Sequence, residues 1–107
     1  VRLPAISEAE FTSQVIQYAR LRGWRAAHFR AARPNKGWRT PVQGDAQGFP
    51  DLVLVRGQKI MAAELKRSKK EKPTLAQHEW LRALHTAGIS VRVWTPDDWP
   101  EIEQMLA

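Results

Sequence analysis

Three ionisable residues stand beside two short apolar segments: Asp51 precedes "LVLV", while Glu64 and Lys66 follow "MAA". Glu64 and Lys66 are two apart, so in a β-strand their side chains point to the same face, with the backbone of Leu65 between them. A hairpin made of the two segments would bring Asp51 beside Glu64. Because Mg²⁺ prefers oxygen ligands and keeps several waters, the two carboxylates are candidate metal ligands.

Such a site has the parts needed to hydrolyse a phosphodiester. The reaction requires an activated water, neutralisation of the charge that grows on the phosphoryl oxygens, and help for the leaving alkoxide. Lys66 could orient or activate the water and contact the phosphate. The structural alternative is that Pro50-Asp51 is only a turn and that Glu64 and Lys66 form a surface ion pair. Against that alternative, charges that extend an apolar strand are costly to bury unless they are paired or bound to a metal.

The composition restricts the class of protein. With 107 residues, of which 43% are hydrophobic, the chain is long enough for one domain, predicted over residues 1–107. The absence of cysteine excludes disulfides, thiolate zinc sites and a cysteine nucleophile. The sequence has no apolar run of membrane-spanning length and no signal-peptide pattern, so the expected location is the cytoplasm, with no membrane partner.

Seventeen Lys and Arg residues against eleven Asp and Glu residues give a net charge of +6, which suits a polyanionic partner such as nucleic acid. The basic residues concentrate between positions 21 and 39 and between positions 66 and 72. A solvated surface is the alternative for each cluster. Trp38 could stack on a base or wedge a junction. The predicted DNA-contacting residues are Arg30, Arg33, Lys36, Trp38, Arg39, Arg67, Lys69 and Lys70.

The hydrophobic pattern predicts a mixed α/β domain. Ser7 caps a first helix that stops at Gly23, and Thr74 opens a second helix that stops at Gly88. The predicted strands are Trp24 to Phe29, "DLVLV", "IMAAEL" and "SVRVW". The turn "RGQK" joins the middle two into a hairpin whose strands are buried on both faces or nearly so. Thr95 is the predicted cap of a closing helix. The predicted order is helix, three strands, helix, strand, helix, with a long loop from position 30 to position 48.

Taken together, "GFPDLVLV", "AAELK" and "QHEWLRALHTAGISVRVW" resemble the VRR-NUC family of the PD-(D/E)xK nuclease superfamily, and the likeness extends back to "SEAEF". It covers nearly the whole chain. The resemblance implies a restriction-endonuclease-like αβββαβ core that binds Mg²⁺ or Mn²⁺. The implied ligands are Asp51, Glu64 and the carbonyl of Leu65, with Lys66 beside the attacking water.

The resemblance also implies two further catalytic residues, a glutamate in the first helix and Gln77. Glu8 shares a helix face with Phe11, whereas Glu10, rotated about 200° from Glu8, is the alternative. For Gln77 the alternative is a capping box with Thr74, in which its side chain would only satisfy a backbone N–H.

Stand-alone members of this family are small, often encoded by phage or prophage, and similar to Holliday-junction resolvases. The resemblance therefore implies a homodimeric, structure-specific endonuclease in a bacterial or phage-infected cell, acting on branched DNA and above all on four-way junctions. The alternatives are a flap-directed or sequence-directed nuclease of the same superfamily and a non-catalytic DNA-binding module.

Overall fold

A computed structural model describes residues 6–29 and 44–107. Five predicted DNA contacts, Arg30, Arg33, Lys36, Trp38 and Arg39, lie outside the described residues, as does most of the predicted long loop. The described elements are α1 (Glu8–Leu21), β1 (Arg25–His28), β2 (Leu52–Arg56), β3 (Lys59–Leu65), α2 (Leu75–Thr86), β4 (Ser90–Trp94), a 3₁₀ turn (Pro96–Asp98) and α3 (Trp99–Leu106). The predicted order of elements and the α/β class are confirmed.

The four strands form one mixed sheet in the order β1-β2-β3-β4. β1, β2 and β3 are antiparallel neighbours, while β4 runs parallel to β3 after the crossover through α2. Leu52 pairs with Ala63 across the hairpin, so Asp51 and Glu64 are the next residues along the two strands. The hairpin therefore places both carboxylates at the end opposite its turn.

The core lies between one face of the sheet and helices α1 and α3. Side chains alternate along a strand, so Leu52 and Leu54 of β2 point to this face, and both are fully buried. Ala62 and Glu64 of β3 point to the opposite face, where Lys66 contacts α2 through Gln77. The described core residues are Phe11, Val15, Ala19, Trp24, Leu52, Leu54, Met61, Ala63, Leu65, Trp94, Ile102 and Leu106.

Three details differ from the sequence prediction. The closing helix begins as a 3₁₀ turn, in which the Asp98 carboxylate accepts a hydrogen bond from the Thr95 N–H at 2.8 Å. Trp80, which the apolar pattern of the second helix places in the core, is only half-buried. The hairpin is buried on both faces only near its Asp51 end, since Val55 and Ile60 near the turn are 37% and 44% exposed.

Over the described ranges, no helix is both long and apolar enough to cross a membrane.

Candidate active site

Asp51 and Glu64 are joined by two hydrogen bonds across the open end of the hairpin. The Asp51 N–H donates to Glu64 Oε1 at 3.2 Å, and the Leu65 N–H donates to Asp51 Oδ2 at 3.0 Å. Each carboxylate thus uses one oxygen to bind the backbone of the other strand, which orients it, and the second oxygen of Glu64 faces Lys66. Asp51 also contacts the residue that directly follows β1, because the Phe29 N–H donates to the Asp51 carbonyl at 2.7 Å.

Glu64 is the most deeply buried ionisable group of the site, with 1% of its surface exposed. Lys66 Nζ lies 3.6 Å from Glu64 Oε2, as the two-residue spacing predicted, and the Lys66 side chain is 14% exposed. Burial, together with the smaller effect of repulsion by Asp51, raises the pKa of Glu64 to about 7, while Lys66 opposes both effects. A single ammonium therefore does not compensate the two carboxylates.

The donor set fits a hard divalent cation. Two carboxylates that repel each other, one of them buried, are stabilised by a nearby positive charge, and oxygen is the ligand that Mg²⁺ and Mn²⁺ prefer. Within the part of the chain that the structure describes, no three His, Asp or Glu side chains are grouped to hold a metal. The predicted ligand set consists of two side chains and the carbonyl of Leu65, and it stays a prediction.

Gln77 makes contacts that suit both of the alternatives that the sequence left open, and its catalytic role stays a prediction. Its Oε1 accepts a hydrogen bond from the Thr74 N–H at 2.8 Å, and the Gln77 N–H donates to Thr74 Oγ1 at 3.2 Å, which completes the capping box of α2. The same Oε1 also accepts a hydrogen bond from Lys66 Nζ at 3.1 Å. The amide thus fixes the Lys66 ammonium relative to the start of α2.

Of the two candidate acids in the first helix, Glu8 is the one near the site. Glu10 belongs to a capping box, in which its Oε1 accepts from the Ser7 N–H and its own N–H donates to Ser7 Oγ, both at 3.1 Å. Although Glu8 is exposed, partial burial of its carboxylate and the charges of Asp51 and Glu71 raise its pKa. Glu8 therefore lies within the electrostatic field of Asp51, at the rim of the site.

The basic residues that follow β3 differ in their surroundings. Arg67 forms an ion pair with Glu71 at 3.5 Å. Lys69 Nζ lies 2.7 Å from Asp98 Oδ1, and this hydrogen bond raises the pKa of Lys69. Lys70 is exposed. All three stay candidate DNA contacts, and the structure already assigns Arg67 and Lys69 intramolecular partners.

Sequence reasoning did not single out two aromatic residues beside the site, Phe29 and Phe49. Phe29 packs edge-on against Phe49 with ring centroids 5.4 Å apart, and Phe49 packs against Trp80 at 5.0 Å. The sequence could have indicated that Phe49 lies near the site, because Phe49 precedes Asp51 by two residues. The position of Phe29 depends on strand pairing between β1 and β2, which no local pattern specifies.

Comparisons of the chain with models of protein families, with curated proteins and with solved structures found no match. Membership of the VRR-NUC family and the restriction-endonuclease-like fold therefore stay predictions from the motifs and their spacing.

Proposed function

We propose that this chain is a metal-dependent, structure-specific DNA endonuclease of the VRR-NUC type. Its proposed substrate is branched DNA, above all the four-way junction, and its proposed assembly is a homodimer that presents two sites to two symmetric strands. The observation that supports the proposal most is the joining of Asp51 and Glu64 by reciprocal hydrogen bonds beside Lys66. The net charge of +6 supports a polyanionic substrate.

Asp51, Glu64 and the Leu65 carbonyl are the residues that would hold Mg²⁺ or Mn²⁺. When bound, such an ion makes its water more acidic and neutralises charge on the phosphoryl oxygens. Lys66, held by Gln77, places an ammonium where it can bind a phosphoryl oxygen and orient the attacking water. Glu8 adds negative potential at the rim, which favours a divalent cation.

The competing function is a DNA-binding module without catalytic activity. One observation favours it: Lys66 already forms an ion pair with Glu64, so the charged group can be satisfied within the fold. The two functions differ in whether a divalent metal matters. A module needs none, whereas the nuclease requires one for cleavage.

The proposal is tested by incubating the protein with labelled four-way junction, flap, single-stranded and linear duplex DNA, in Mg²⁺, Mn²⁺ or EDTA. Asp51→Asn, prepared in parallel, controls for contaminating nucleases. The expected result is symmetric cleavage of the junction that requires metal and is absent from the variant. Tight binding without cleavage in any metal would favour the binding module over the nuclease. Preferential cleavage of a flap would identify the flap as the substrate in place of the junction.

A further inference from the structure

Three aromatic side chains form a continuous ridge: Phe29 at the end of β1, Phe49 before β2, and Trp80 on α2. Neighbouring rings are nearly perpendicular, at 87° between Phe29 and Phe49 and 78° between Phe49 and Trp80. Phe29 is 50% exposed, and Phe49 and Trp80 are half-buried. Keeping an aromatic ring half in water forgoes hydrophobic stabilisation, so the exposed end of the ridge is a candidate contact surface.

Each ring of the aromatic ridge is tied to a residue of the candidate active site. The backbone of Phe29 donates directly to the Asp51 carbonyl, and Phe49 precedes Asp51 by two residues. Trp80 follows Gln77 by three residues on α2, so the two lie on neighbouring positions of one helix face. A DNA strand whose phosphate lies at Lys66 would have its adjoining nucleotides beside the ridge.

The ridge borders a groove in which the charged lining residues, within the part of the chain that the structure describes, are both acidic. The groove has a volume of about 480 Å³ and lies between α2 and the segment before β2. Trp80 forms one wall, its indole N–H donates to the Asp45 carbonyl at 2.7 Å, and Asp45 and Glu79 supply carboxylates to the lining. By contrast, the segment that directly follows Lys66 carries Arg67, Lys69 and Lys70, all of them exposed and none of them in the lining of the groove.

This contrast in charge indicates which part of a nucleotide would bind to the acidic groove and which part to the basic segment that follows β3. Phosphates are repelled by Asp45 and Glu79 and attracted by the basic residues that follow β3. A nucleobase carries no net charge, has exocyclic amino groups that can donate to carboxylates, and stacks on aromatic rings whatever its sequence. The ridge and the groove therefore match a base, whereas the basic segment matches the backbone.

We propose that the aromatic ridge is a stacking site for an unpaired nucleobase next to the scissile phosphate, with Phe29 as its exposed contact. The inference rests on the proposed nuclease function and specifies its substrate, because a base can reach the ridge only after it leaves the stack, which costs least where stacking is interrupted, as at the branch point of a junction. Duplex DNA, whose bases remain stacked within the helix, would engage only the basic segment.

The test measures the dissociation constant for four-way junctions in EDTA by fluorescence anisotropy. Each nucleotide next to the crossover is replaced in turn by an abasic residue. Wild-type protein is expected to bind one of the abasic junctions about tenfold more weakly than the intact junction, the usual effect of losing one stacked base. Phe29→Ala is expected to bind both junctions equally weakly, while Phe29→Tyr, which keeps the ring, should retain the difference.

Leu21→Ala is the matched control, since Leu21 is an apolar residue on α1 that is 82% exposed. It should behave as the wild type with both junctions, and thermal unfolding should show that Phe29→Ala is folded. Equal wild-type affinity for intact and abasic junctions, in a protein that still cleaves the intact one in Mg²⁺, would overturn the stacking site alone. A protein that neither binds nor cleaves the junction would overturn both the stacking site and the proposed function.

Discussion

At the scale of single residues, the central feature is an imbalance of charge inside the fold. Glu64 is almost fully buried beside Asp51, and Lys66 is the ammonium that contacts it. Burying carboxylates costs free energy unless positive charge or hydrogen bonds compensate. A site that only stabilised the fold would be expected to balance these charges. When Glu64 is ionised, the two carboxylates exceed the one ammonium, and a divalent cation would neutralise this excess and favour the ionised form.

The two roles of Gln77 can be separated with a matched pair of variants. Thr74→Ala removes the hydroxyl of the α2 cap and should cost about 1 kcal/mol of folding free energy without touching Lys66. Gln77→Ala removes the cap and also frees the Lys66 ammonium, so its cleavage rate should fall about tenfold or more, as expected for a mispositioned catalytic group. Equal cleavage rates for the two variants, compared at equal folded fraction, would show that Gln77 acts only as the helix cap of α2.

The raised pKa of Glu64 predicts how stability depends on pH in the absence of a divalent cation. The folded protein keeps the Glu64 proton up to about pH 7, whereas the unfolded chain releases it near the ordinary value of 4.5. The folded state thus binds more protons in this range, so the free energy of unfolding should fall by up to about 3 kcal/mol between pH 4.5 and pH 7.

In Glu64→Gln the free energy of unfolding should not decrease over this pH range, because an amide cannot ionise. The amide oxygen can still accept the hydrogen bond from the Asp51 N–H. Urea unfolding from pH 4 to pH 9 in EDTA measures the effect. Glu103→Gln, at an exposed glutamate of α3, is the control and should keep the wild-type pH dependence. Parallel curves for wild type and Glu64→Gln would show that Glu64 does not titrate in this range.

At the residue scale, part of the site could be predicted and part could not. The alternation of side chains along a strand put Glu64 and Lys66 on one face, and their contact confirms it. The sequence could not choose between the two roles of Gln77. The capping box is local, but its second contact depends on where α2 docks against β3, which many distant residues determine.

At the scale of elements, the helix boundaries were the most predictable feature, because their signals are local. Ser7 and Thr74 begin α1 and α2 with full capping boxes, and Gly23 and Gly88 follow the ends of these helices with positive φ angles. The 3₁₀ turn before α3 was not predicted, because Thr95 and Pro96 are typical of either kind of helix start and short 3₁₀ turns are frequent at the N-termini of α-helices.

The packing of α2 against the segment before β2 should depend on Gly48. Its φ is +86°, and a Cβ at this position would lie 2.6 Å from the Ala76 backbone. Gly48→Ala should therefore combine the cost of a left-handed conformation with overpacking, about 2–4 kcal/mol in total. Gly44, with φ +64°, has open space around the corresponding position, so Gly44→Ala should cost only the conformational term, about 1–2 kcal/mol.

Urea unfolding of the two glycine variants measures this difference. Because Gly48 lies between α2 and Asp51, junction cleavage should fall further in Gly48→Ala than in Gly44→Ala when both are compared at temperatures where each is fully folded. Equal losses of unfolding free energy would mean that the segment before β2 shifts freely away from α2, and the close approach would then have no part in positioning Asp51.

At the scale of the whole molecule, the sequence predicted the class and order of elements better than their arrangement. The apolar runs and turn residues indicated an α/β domain, and the sheet with its flanking helices agrees. The exposure of Phe29 and the half-burial of Trp80 were not predictable, because both depend on contacts between segments distant in sequence. Tertiary packing decides how much of an apolar residue meets water, and local patterns do not include it.

The most direct test of the whole account is the single-turnover rate at which wild type and Glu64→Gln cleave a labelled four-way junction in Mg²⁺. Affinity for the same junction is measured in EDTA. A metal-dependent active site that includes Glu64 predicts cleavage by the wild type and a loss of at least about a hundredfold in the variant, the scale of removing one electrostatic catalytic group. Binding should be unchanged or tighter, because a carboxylate that repels phosphate is gone. Cleavage by Glu64→Gln at the wild-type rate would contradict a catalytic role for Glu64 and the metal site proposed around it.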